Sequence, residues 1–144
     1  MKSLKNTKNE VFVVVGSKPW NSRVFHLTLR RLPGEWRFVA HRDELTIEKF
    51  EELDPRYVIF LHWSWRVAEE ITTRWECICF HMTDLPYGRG GSPLQNLVLR
   101  GHQETVLTAF RMTEEIDAGP VYDKRSLSLS GNAEEILIRA VEMR

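Results

Sequence analysis

The chain has little that points to a membrane, a disulfide framework or a polyanionic partner. Its longest apolar run, around Val11 to Val15, falls far short of the roughly 20 residues that span a bilayer, and the polar start has no signal-peptide apolar stretch. Cysteine is scarce: Cys77 and Cys79 stand at i and i+2, where strand geometry keeps same-face neighbours about 6.6 Å apart and does not favour a bridge. Excess charge of one sign is also missing, because 20 Lys plus Arg balance 20 Asp plus Glu along the chain. That balance disfavours nucleic acid as a partner. Internal repeats, low-complexity tracts and linkers are lacking too. The expectation is a soluble, cytoplasmic protein with one domain over residues 1–144, no membrane and no nucleic-acid partner, its oligomeric state open.

What is present alternates between short apolar runs and amphipathic stretches. Glu10 to Val15 reads as a fully buried strand that stops at Gly16, and Asn21 to Leu32 as a helix closed by Pro33 and Gly34. Trp36 to His41 reads as a second strand, Thr46 to Leu53 as a short helix, and Tyr57 to Leu61 as a third strand. Val67 to Arg74 is a weaker helix and Cys77 to Phe80 a fourth strand. Ser92, Pro93 and Gln95 set a cap, a first-turn proline and an N3 glutamine, so a helix starts there and stops at Gly101. Thr105 to Met112 and Val121 to Ser128 are further strands, and Asn132 with Glu135 caps a helix running to Arg144. The alternation predicts an α/β fold with a mostly parallel central sheet and helices on both faces, parallel in its first half.

In such sheets ligands bind beyond the carboxyl ends of strands, which singles out residues 16–21, 62–66, 81–91 and 117–120. Cys77, Cys79 and His81 alternate like metal ligands, yet on a strand they spread over about 13 Å, too far for one zinc, so no metal is expected. Cys79 with His81 could instead form a nucleophile and its base, or Cys79 a small core residue and His81 a hydrogen-bonded structural one. "YGRGGSP" suits an anion ahead of a helix but is neither a Walker loop nor a GxGxxG turn. Asp117, in "EEIDAGP", reads as a catalytic carboxylate or a solvated turn, and the indoles of "HWSWR" as a wall for a flat ligand or as core.

These pieces occur in a familiar order. His81, Leu85, Pro86, Arg89, Gly90, Pro93, Gly101, Asp117 and Gly119 match the pattern N-x-H-x-S-L-L-P, R-G-x-x-P, Gly, strand, D-x-G. From Tyr57 to Ser128 the chain resembles the N-terminal catalytic domain of the folate-dependent formyltransferases, which has a Rossmann-like fold. The resemblance implies N10-formyltetrahydrofolate as donor cosubstrate and an amine as acceptor. It implies that His81 assists proton transfer, that Asp117 orients His81 or a water, and that His62, Trp63, Ser64, Trp65, Arg66 and Val67 line the pterin site with Gly119. Thr83, Asp84, Arg89 and Gly90 fall on the acceptor side.

Two departures matter. Cys79 stands where the family has an asparagine whose amide donates to the developing oxyanion, and a thiol is a weak donor. Loss of such a donor costs on the order of 100- to 1000-fold in rate. "MTDLP" replaces the small-Ser-Leu-Leu run, leaving Thr83 and Asp84 beside His81. Neutral charge and "GSKPWN", which is no glycine-rich phosphate loop, point to a small amine acceptor, a nucleotide-linked amino sugar. The alternatives are a weakly catalytic folate-binding module and a divergent one-carbon or acyl transferase using the Cys79 thiol.

Overall fold

Val13, Val14 and Val15 expose no surface, and the reason lies in the pairing of their strand. In the computed structural model β1, Val11–Gly16, runs parallel to β2, Glu35–Val39, on one side and to β3, Tyr57–Leu61, on the other. A strand covered on both edges and both faces needs an unbroken β-branched run rather than an alternating one. The structure describes residues 10–63, 65–91, 93–132, 135–136 and 139–140, and the chain divides into two compact units, 1–77 and 78–144.

In the first unit the helices pack on this parallel sheet. α1 spans Pro19–Leu27, two residues earlier and five shorter at its end than the expected 21–32, because Pro19 pre-sets the first turn and Thr28 leaves helical geometry before a 3₁₀ turn at Leu29–Arg31. α2, Ile47–Leu53, is capped by Thr46, whose hydroxyl accepts from Lys49 N at 3.2 Å, and is closed by Asp54 in the left-handed region. Its apolar face delivers Phe50, wholly buried, to Trp75 with ring centroids 5.4 Å apart. α3 is Glu69–Arg74.

The second unit is built differently. β4, Cys77–His81, opens on the last residue of the first unit and pairs antiparallel with β5, Glu104–Arg111, which pairs antiparallel with β6, Val121–Ser128. α4, Pro93–Leu99, places Leu94 and Leu97 in a buried cluster with Met82, Leu107, Leu127, Leu129 and Ile136, against which Phe80 packs. Gly101, at φ 77°, ends α4 as expected, its N–H reaching Val98 O at 3.0 Å. The expected Ser92 cap lies outside the described residues. Asn132 Oδ1 does accept from Glu135 N at 2.9 Å, and residues 135–136 and 139–140 are helical; the rest of that expected helix lies outside the described residues. The α/β class is the one anticipated, parallel in its first half and antiparallel through β4, β5 and β6. No described helix is long and apolar enough to cross a membrane.

Phe50→Ala should leave a cavity in the first unit and lower the unfolding free energy by about 3–5 kcal/mol, read from urea titrations followed by tryptophan fluorescence. A loss below about 1 kcal/mol would mean that α2 does not anchor this core.

Candidate active site

β4 delivers the central side chain. Its residues alternate between faces, so with Phe80 turned into the apolar cluster, Cys79 and His81 point the other way. His81 pairs with Thr108 of β5 and is 7% exposed. A histidine so buried needs partners for both ring nitrogens. Nε2 lies 2.7 Å from Gly88 O, and because a carbonyl only accepts, Nε2 carries the hydrogen. Nδ1 faces Asp117 Oδ2 at 3.5 Å.

Asp117 reaches that position from the connection between β5 and β6. Its backbone sits at φ 52°, left-handed geometry that Asp tolerates better than most residues. The connection closes through Arg111 N donating to Pro120 O at 2.8 Å. Gly119 stands so close to this closure that a Cβ there would lie 1.7 Å from Arg111 O. The glycine of the D-x-G motif therefore has a backbone reason, independent of any ligand.

The R-G motif grips the same connection. Gly90 N donates to Asp117 Oδ2 at 2.9 Å, so one carboxylate oxygen meets both the 82–91 loop and His81. Arg89 donates from Nε and Nη2 to Ile116 O, at 3.0 and 2.7 Å, and from Nη2 to Glu115 Oε1 at 2.9 Å. Expected on the acceptor side, Arg89 and Gly90 are thus engaged in holding Asp117.

Thr83 and Asp84, from the divergent "MTDLP", part company. Thr83 is buried and accepts on its carbonyl from Thr108 Oγ1 at 2.7 Å. Asp84 faces solvent and pairs with Lys124 Nζ at 2.6 Å, which also donates to Leu85 O at 2.8 Å. Cys79 is half-buried, its Sγ 3.9 Å from Phe80 O, long even for a weak thiol donor.

The expected pterin wall follows β3 in the first unit. His62, at φ 48°, accepts on Nδ1 from Trp20 Nε1 at 3.3 Å and lies equally close to Asn21 Nδ2. Asn21 is fully buried and also takes the Lys18 N–H at 3.0 Å, while Gly16 packs so tightly on it that a Cβ would come within 2.6 Å. Trp63 edges onto Phe60 and Trp65, and its indole N–H is buried with no hydrogen-bond partner among the described residues. Trp65 and Arg66 are exposed, Val67 is buried, and Ser64 lies outside the described residues. Among the described residues no group of three His, Cys, Asp or Glu could hold a metal.

Sequence reasoning missed Thr108 and Lys124, and reached Asn21 and Gly88 only as members of the stretches 16–21 and 81–91, with no role for either. A hydroxyl inside the apolar run "VLTAF" was the available signal for Thr108, since a polar side chain in a buried strand must find a partner.

A strand-end histidine facing an aspartate from the next β connection, on this α/β frame, is what the resemblance to the folate-dependent formyltransferases implies, and the comparisons agree with that class. No protein-family model matches the chain. Methionyl-tRNA formyltransferase of Methylococcus capsulatus is 32% identical over 84 residues, 57% of this chain and 27% of that protein. The solved methionyl-tRNA formyltransferase from Clostridium thermocellum superposes with a TM-score of 0.89 at 40% identity, over 93% of this chain and 60% of that one. The formyltransferase PseJ from Anoxybacillus kamchatkensis, solved with UDP-4,6-dideoxy-4-formamido-L-AltNAc and tetrahydrofolate, shares the fold at a TM-score of 0.67 and 18% identity, over 92% of this chain and 71% of that one. The family recognised in the sequence is the right one: the chain is a homologue of the folate-dependent formyltransferases. It spans well under two thirds of the curated relative it matches.

Gly119→Ala should force the β5–β6 connection open and cost about 1–3 kcal/mol in urea unfolding. Gly91→Ala, where a Cβ meets nothing within 4 Å, should stay within about 0.5 kcal/mol of wild type. Equal effects of the two substitutions would remove the backbone explanation of Gly119.

Proposed function

We propose that residues 1–144 act as one catalytic domain that transfers a formyl group from N10-formyltetrahydrofolate to a primary amine. The observation that carries this reading is the buried His81, its Nδ1 facing an Asp117 carboxylate that the Arg89–Gly90 loop holds in place. The cosubstrate supplies an activated formyl carbon. Attack by the amine develops negative charge on the formyl oxygen and leaves protons to be moved from the amine toward the departing folate nitrogen.

The residues of the chain divide that work. His81 serves the proton transfer, and Asp117 fixes its ring and balances positive charge on it. The loop after β3 fits a flat heteroaromatic ring: the buried Trp63 N–H offers a donor for it and the Trp63 and Trp65 indoles offer surface. Cys79 offers a thiol where relatives of this pattern carry an amide, so the oxyanion leans on other donors and turnover is slow.

Balanced charge favours a small acceptor, an amino sugar linked to a nucleotide. A second reading, the amine of methionyl-tRNA, draws on the 40% identity to the Clostridium enzyme. Release of tetrahydrofolate from N10-formyltetrahydrofolate, followed with a panel of 4-amino sugar nucleotides and with methionyl-tRNA, separates them. Tight folate binding without turnover on any acceptor would overturn the enzyme reading in favour of a binding module.

His81→Ala and Asp117→Ala should each abolish turnover, by 100-fold or more, in proteins whose circular dichroism is unchanged. Full activity in either variant would remove that residue from the mechanism. Cys79→Asn should raise the rate, up to about 100-fold, and Cys79→Ala should leave it within about threefold. Abolition by Cys79→Ala would instead point to a thiol nucleophile.

A further inference from the structure

Resting on the reading of the loop after β3 as the folate wall, we propose that Trp20 and Asn21 are positioning residues. They fix His62, and with it the loop that presents Trp63 and Trp65 to a flat heteroaromatic ring. β1 lies between β2 and β3, so the segments that leave β1 and β3 border a crevice at their carboxyl ends. Trp20 and Asn21 follow β1, His62 follows β3, and the three meet there: Trp20 Nε1 donates to His62 Nδ1 at 3.3 Å, and Asn21 Nδ2 lies 3.3 Å from the same nitrogen. An indole N–H only donates. The Asn21 amide is oriented by its other end, where Oδ1 takes the Lys18 N–H at 3.0 Å, so its NH₂ group is the part that faces His62. Two donors aimed at one ring nitrogen leave no place for a hydrogen on it. His62 is therefore a neutral imidazole with its hydrogen on Nε2, and Nδ1 serves as an anchor.

The anchor accounts for a backbone that is otherwise costly. His62 sits at φ 48°, a region that few residues with a Cβ adopt, and such geometry persists only where the surroundings fix the residue. The anchor itself is rigid, because Asn21 is fully buried and packs directly on Gly16. The next residue carries a second cost: the Trp63 indole N–H is buried with no hydrogen-bond partner among the described residues. The Trp63 ring is held edge-on between Phe60 and Trp65, with centroids 5.8 and 4.9 Å away, and Trp65 is exposed. Left-handed backbone beside an unmatched donor is a loop shaped for something other than its own stability. A heteroaromatic ring with a carbonyl or ring nitrogen on its edge supplies the missing acceptor, and its flat face suits the exposed indole. Holding His62 in advance removes the cost of ordering this loop from the binding step.

The test combines nitrogen-15 NMR of the whole chain with calorimetry of tetrahydrofolate binding and steady-state kinetics. In wild type the His62 ring should be the Nε2–H tautomer, and tetrahydrofolate should shift the Trp63 indole N–H resonance. Trp20→Phe keeps a ring but removes the donor. It should weaken tetrahydrofolate binding about tenfold and raise KM for the formyl donor by a similar factor, with kcat changed by less than about twofold. The Trp63 N–H resonance should broaden or move in the same variant. His62→Leu should lose a comparable affinity, and His62→Gln, whose side-chain oxygen can accept from both donors, should recover most of it. Should His62→Leu not fold, Trp20→Phe and His62→Gln carry the comparison. Unchanged tetrahydrofolate affinity in folded Trp20→Phe, equal losses in the Leu and Gln variants, or a hydrogen on Nδ1 in wild type would each overturn the proposal. A protein that binds no tetrahydrofolate would sink the functional reading instead. The positioning role is then decided by the Trp63 resonance alone, and a resonance unmoved by Trp20→Phe would overturn it.

Discussion

One carboxylate oxygen holds the second unit's candidate site together. Asp117 Oδ2 accepts from Gly90 N and faces His81 Nδ1, so the loop after β4 and the connection after β5 meet on a single atom. Much of the surrounding geometry serves that meeting. The left-handed backbone at Asp117, the glycine at 119 against Arg111 O and the Arg89 guanidinium on Ile116 O all determine where the oxygen lies. A charge-assisted bond to a backbone amide is among the stronger contacts available to such a loop. It also limits how far the His81 ring can turn.

In the first unit a buried asparagine does comparable work. Asn21 has no exposed surface, and its amide is divided between Lys18 N and His62 Nδ1. Removing a polar side chain from water is tolerated when its hydrogen bonds are made inside. The requirement ties the start of α1 to the residues that follow β3. Gly16, at the end of β1, is small because Asn21 stands directly against it.

The chain departs from its family's pattern in the chemistry rather than in the frame. Cys79 keeps the strand and the face that an asparagine would occupy, so the fold is unaffected, and a thiol is a weaker donor than an amide. Thr83 and Asp84 show the opposite division. The threonine went inward to brace the loop and the aspartate outward to Lys124, although the sequence placed both on the acceptor side.

β3 and β6 to the residue, the start and stop of α4 and the α/β class were legible in the sequence, and the resemblance raised His81 and Asp117 as candidates that the structure brings face to face. Those features rest on local causes: apolar runs, a proline in a first turn, a glycine at a helix end, and motifs whose order survives in one dimension. Tertiary structure alone decided that Arg89 and Gly90 grip Asp117, that Gly88 O takes the His81 Nε2–H, and that Thr108 stands behind Thr83. Each of these is a hydrogen bond between residues separated along the chain. Its geometry exists only once β4 and β5 are in register and the loops between strands have closed, and no local pattern carries that information.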